Sequence, residues 1–131
     1  MTRPPRILLV MPDQWPRALL RASLREAGYD AVGARSVRGA ARQAAPAPER
    51  GPVALVVVDD DAAVEEAEAL RALASSLGAP PMLLVAHAIR EPPRGAWTRT
   101  VRRPVSVAEL SDVVQALVPL PAAARVPLDA G

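Results

Sequence analysis

Asp59, Asp60 and Asp61 follow directly on an apolar run, Ala54-Leu55-Val56-Val57-Val58. Carboxylates at the end of such a run have two ordinary uses. They hold a cation, or they sit at the positive end of a following helix, where negative charge is favoured. Asp13 lies just past another apolar run, Ile7 to Val10, with Met11 and Pro12 between. Asp13, Asp59 and Asp61 together would make a weak divalent-ion site at the strand ends, although Pro12 fixes the backbone beside Asp13. Arg103, before Pro104, is a cation able to pair with Asp59 or a neighbouring acid and hold that site shut. His87 is the single histidine; it could respond to pH, but a loop or rim position is the plainer expectation.

Composition removes other chemistries. There is no cysteine, hence no disulfide framework, thiolate metal site or cysteine nucleophile. One histidine rules out a multi-histidine metal cluster. Met11-Pro12-Asp13-Gln14 is no glycine-rich phosphate loop, and no nucleophile elbow is present, so enzymatic activity is not expected. The 131 residues carry net charge +2, and all 16 basic residues are arginine. Apolar runs are too short to cross a membrane or serve as a signal segment, which points to a cytoplasmic protein.

The positioning elements can be read from periodicity. The runs at 7–10, 54–58 and 82–86 are continuous rather than alternating, as in parallel strands covered on both faces. Residues 29–34 and 98–101 are weaker strands. A helix is expected from Pro16 to Ala27, closed by Gly28, and a short one from Ser36 to Gln43. Another runs over 63–77, with Val64, Ala67, Leu70, Ala74 and Leu77 on one face. Ser106 and Glu109 form a capping box that opens the last helix, whose buried stripe is Leu110, Val113, Val114 and Leu117. Between the fourth and fifth strands, Pro92-Pro93 forbids a regular helix, so that crossover is expected to be one turn or an extended loop. Strand–helix alternation implies one parallel α/β domain over 6–118, with 1–5 and 119–131 expected to be disordered.

This layout resembles the receiver domain of bacterial response regulators. Three segments carry the resemblance: Ile7-Leu8-Leu9-Val10, Ala54 to Asp59, and Arg103-Pro104-Val105-Ser106-Val107-Ala108-Glu109-Leu110. The segment Leu19 to Tyr29 is similar to the family's first helix. The resemblance implies a flavodoxin-like doubly wound sheet of five parallel strands in order 2-1-3-4-5, in three αβα layers, with the fourth helix shortened or lost. It implies that Asp59 matches the phosphoacceptor, that the family's acidic pair falls on Met11 and Pro12, and that its Ser/Thr falls on Ala86. The family's lysine falls on Arg103, its switching aromatic near Thr100, and the cis peptide on Arg103–Pro104. One functional position is kept and the others are replaced, as in a degenerate pseudo-receiver.

The resemblance therefore implies a stand-alone module acting by phosphorylation-independent contact with another signalling protein, such as a kinase, regulator or output protein. No cofactor is expected. The candidate contact residues are Trp97, Arg99 and Arg102, and Trp15 is expected to staple the first helix. The alternatives are a working phosphorelay protein taking phosphate on Asp59 with magnesium, and nucleic-acid binding through the arginines. Arg17, Arg21 and Arg25 form a helix stripe, but without interleaved aromatics a solvated face is the plainer reading. A homodimer is an open alternative.

Overall fold

The computed structural model describes residues 3–120. Five strands, β1 (Arg6–Val10), β2 (Asp30–Ala34), β3 (Val53–Asp59), β4 (Met82–Ala86) and β5 (Arg99–Arg102), form one parallel sheet in the order β2-β1-β3-β4-β5. Five helices join or follow them: α1 (Gln14–Ala27), α2 (Val37–Gln43), α3 (Asp60–Glu65), α4 (Ala67–Ser76) and α5 (Val107–Leu117).

The continuous apolar strands are explained by burial on both faces. In β1, Ile7 and Leu9 face α1 and α5 with Leu20, Leu24, Leu110 and Val114, while Leu8 and Val10 face α2, α3 and α4 with Val37, Ala63 and Leu70. Every residue of β1 and β4 is buried. The result is the three-layer flavodoxin-like fold, with the carboxyl ends of the central strands gathered at one end of the sheet.

Local signals act as their chemistry requires. Gly28 takes φ 112°, a left-handed conformation open to glycine, and its N–H caps α1 on the carbonyl oxygens of Leu24 and Arg25. Ser36 Oγ accepts from Gly39 N at 3.1 Å and caps α2. Ser106 Oγ accepts from Glu109 N at 3.0 Å and donates to Glu109 Oε1 at 3.0 Å.

One expectation needs correction. The helix expected over 63–77 begins at Asp60 and kinks at Glu66, whose φ is −122°. The Glu66 carboxylate accepts from Val37 N at 3.1 and 3.2 Å, where the first turn of α2 favours negative charge. The kink turns Val64 out to solvent, and Leu73 joins Leu70 in the core instead. Between β4 and β5 no helix forms; the chain there is bends and extended segments, the extended alternative expected from Pro92-Pro93. Asp30 N donates to the Pro5 carbonyl at 2.9 Å, which ties the chain before β1 to the start of β2. Leu120 packs against the α1–α5 core. The rest of the expected tail, 121–131, lies outside the described residues, as do Met1 and Thr2.

Candidate functional site

Asp59 is the last residue of β3 and the N-cap of α3, with only 3% of its surface exposed. A buried carboxylate needs partners for both oxygens. Oδ2 accepts from Asp61 N at 3.1 Å, and the Arg103 guanidinium donates to Oδ1. Arg103 is delivered by the β5–α5 loop, where its own N–H donates to the Ala86 carbonyl at 3.0 Å and its peptide bond to Pro104 is cis. Arginine suits this position because its fork keeps its charge when half-buried.

The other two aspartates of the run diverge. Asp60 is buried and turns under the end of β4: Oδ2 accepts from His87 N at 3.1 Å and Oδ1 from Arg90 at 3.0 Å. Asp61 is exposed, and its Oδ1 accepts from Arg90 at 2.9 Å. Arg90 thus bridges two neighbouring carboxylates. The segment after β4 is held further by His87 Nδ1, which accepts from Ile89 N and Arg90 N at 3.1 and 3.2 Å. Arg102 donates to the carbonyls of His87 and Arg90, at 2.9 Å each. An extended segment replaces a helix here because these side chains supply the bonds that a helix would make internally.

Met11 is buried and Pro12 is half-buried, and neither has a side-chain oxygen. Arg17 covers this turn from α1, donating to the Met11 carbonyl at 2.7 Å and the Pro12 carbonyl at 3.2 Å. Gly33 makes room for it: a Cβ there would stand 3.0 Å from Arg17 Cγ. A cleft of about 500 Å³ opens beside the site, lined by Met11, Asp13, Val85, Arg103, Val105 and Leu110, but Asp59 is not among its walls. Ala86 is fully buried and offers no hydroxyl.

A magnesium ion of the kind receivers use does not fit these residues. Met11 and Pro12 have no side-chain oxygen, their carbonyls are taken by Arg17, and both oxygens of Asp59 are engaged. Asp13, Asp59 and Asp61 do not converge; among the described residues no group of three or more His, Cys, Asp or Glu is placed to hold a metal.

The residues expected at the surface divide. Trp97 turns inward, packs on the α2–α4 face of the core and donates its indole N–H to the Pro93 carbonyl at 2.8 Å. It fills the place of the missing helix because an extended segment cannot itself cover an apolar sheet. Arg99 and Thr100 are exposed on the edge strand β5, whereas Arg102 is spent on the loop. Trp15, expected to staple α1, is 74% exposed. The α1 arginines are not a plain solvated stripe, since Arg17 and Arg25 donate to main-chain carbonyls. The sequence reading missed Arg90. Its signal was register: Asp59 pairs with Val85, so whatever follows β4 must lie beside the acidic run.

No family model matches the chain, and no curated protein matches it. Solved structures do. The chemotaxis protein CheY4 of Vibrio cholerae is 19% identical with a TM-score of 0.70, over 88% of this chain and 99% of that one. A response regulator from Thermotoga maritima is 14% identical with a TM-score of 0.66, covering 88% and 98%. A response regulator receiver protein from Pseudomonas putida is 18% identical with a TM-score of 0.67, covering 88% and 99%. The chain therefore has the fold of CheY-like response regulator receiver domains, along essentially their whole length. No helix among the described residues is long and apolar enough to cross a membrane.

Proposed function

We propose that this chain is a pseudo-receiver: a signalling module that works by binding another signalling protein, without phosphorylation of Asp59 and without catalysis. The observation that carries the reading is the engagement of both Asp59 oxygens, one by Arg103 and one by Asp61 N. Phosphoryl transfer to a carboxylate needs a free nucleophilic oxygen and cations gathered on the phosphoryl group. Here the cation is already bonded to the carboxylate, and Met11, Pro12 and Ala86 supply none of the remaining contacts.

The same bonds give the module a fixed surface. Arg103 ties β3 to the β5–α5 loop, and Arg90 with Arg102 ties the α3 start to the segment after β4. A face held this way can be recognised without a switching event. The exposed edge of β5 with Arg99 and Thr100 is the part of that face offered to a partner in the cytoplasm.

The test is incubation with acetyl phosphate and magnesium, followed by intact mass. The native chain is expected to stay unmodified. A phosphoryl adduct that disappears in Asp59→Ala would overturn the reading.

A further inference from the structure

The opposite end of the sheet holds a second polar cluster. Arg6, at the start of β1, is 1% exposed, and its guanidinium donates to the Gln43 and Ala45 carbonyls at 3.3 and 3.0 Å. Its Nε has no hydrogen-bond partner and lies 3.9 Å from Asp30 Oδ2. Both oxygens of Asp30 are already taken by Arg50, through Nε and one terminal nitrogen at 2.8 Å each. One carboxylate thus answers two guanidinium groups, one of them buried. Buried charge is costly unless matched, so the cluster is short of negative charge.

Beside it lies a cavity of about 350 Å³ between α1 and the outer edge of β2, lined by Arg21, Arg25, Asp30, Gly33, Gln43 and Arg50. Arg25 spends its Nε on the Ala31 carbonyl at 3.0 Å, and Arg21 makes no bond to the described residues. Arginine has five N–H donors, so Arg21, Arg25 and Arg50 keep most of theirs for a ligand. The strand edge adds more. Asp30 N and the Ala34 carbonyl bond on the inner side, which leaves the backbone groups of Ala31 and Gly33 facing outward. The wall is mostly polar, with three arginines, the apolar Val32, and Asp30 as its only carboxylate, already bonded by Arg50.

We propose that this cavity binds a compact oxyanion of two or more charges: the phosphate or pyrophosphate group of a small polar molecule. Guanidinium forks match phosphate oxygens in pairs, and three converging arginines with outward amides supply more donors than a carboxylate can use. A ligand there would complete the charge balance of Arg6 and Arg50 and join α1, β2 and the loop carrying Arg50. It shares no residue with the Asp59 site.

The test is a proton–nitrogen NMR titration of the full chain at about 150 mM salt, where weak surface attraction is screened. The probes are sodium pyrophosphate, sodium phosphate and ribose 5-phosphate. Saturable shifts are expected at Ala31, Gly33 and the Arg25 Nε–H. Affinity should fall at least about tenfold, or about 1.4 kcal/mol, in Arg21→Ala/Arg25→Ala and stay unchanged in Arg71→Ala on α4. Arg21→Ala alone, which breaks no internal bond, keeps the test readable if the double variant fails to fold. Tighter binding of ribose 5-phosphate than of phosphate assigns the site to a phosphorylated metabolite, and equal binding assigns it to the free ion; both support the proposal. Shifts that do not saturate, or an affinity indifferent to Arg21 and Arg25, would overturn it.

Discussion

The two ends of the sheet solve opposite problems with the same residue type. At the carboxyl end, three aspartates meet two arginines, and every carboxylate oxygen that is buried has a donor. At the amino end, two arginines meet one aspartate, and a buried guanidinium nitrogen is left without a partner. The first end is closed by its own side chains; the second is open to a ligand. Asp59 lies at the carboxyl end. Here Arg103 supplies a fixed positive charge there, and the unbalanced charge lies at the other end.

The largest way to break this comparison is to remove Arg103. Arg103→Ala leaves the Asp59 carboxylate buried with one donor, and a loss of about 2–3 kcal/mol in urea unfolding is expected, below the full cost of a buried broken pair because Arg103 itself is part-exposed. Trp97→Ala removes the side chain that covers the sheet where a helix is missing, with an expected loss of about 2 kcal/mol and faster hydrogen exchange over 87–98.

Arg50→Ala sharpens the contrast through pH. The Arg50 hydrogen bonds come first in holding the Asp30 carboxyl below its ordinary 3.8, with added attraction from Arg6 and Arg25, against the opposing effect of burial. A lowered folded-state pKa means that the stabilisation is present above the unfolded value and is lost as pH falls through the folded one. Acid unfolding of the native chain should therefore steepen below about pH 4, and Arg50→Ala should flatten that limb while costing about 1 kcal/mol at pH 7. Arg90→Ala should cost about 1–2 kcal/mol: its guanidinium is half exposed and its bond to Asp61 lies at the surface, but its loss leaves the buried Asp60 Oδ1 without a donor. Its signature is local, as loosened exchange at His87 and Arg90 without change at Asp30.

Much of the frame was legible in the sequence because burial on both faces leaves a plain trace. The unbroken runs at 7–10, 54–58 and 82–86 are β1, the heart of β3 and β4, and Gly28, Ser36 and Ser106 each act at a helix end. The facing of Arg103 toward Asp59 came into view through the resemblance, which puts Arg103 at the receivers' lysine position. What the sequence hid was decided by contacts between distant segments. Glu66 looks like an ordinary helix residue, yet its carboxylate is drawn to Val37 N, 29 positions away, and the helix kinks there. Trp97 and the arginines at 17 and 25 were ambiguous for a similar reason. An aromatic or a long cationic side chain can reach solvent or a neighbouring carbonyl, and spacing along the chain does not choose between them.

The direct measurement of the account is a double-mutant cycle on Asp59 and Arg103, using Asp59→Ala, Arg103→Ala and the double variant, each followed by urea unfolding at pH 7. A closed carboxyl end predicts a coupling of about 2 kcal/mol, with Asp59→Ala relieving most of the damage done by Arg103→Ala. A coupling below about 0.5 kcal/mol, the level of an ordinary surface pair, would contradict it: Arg103 would not hold Asp59, and the carboxylate would be free for other chemistry.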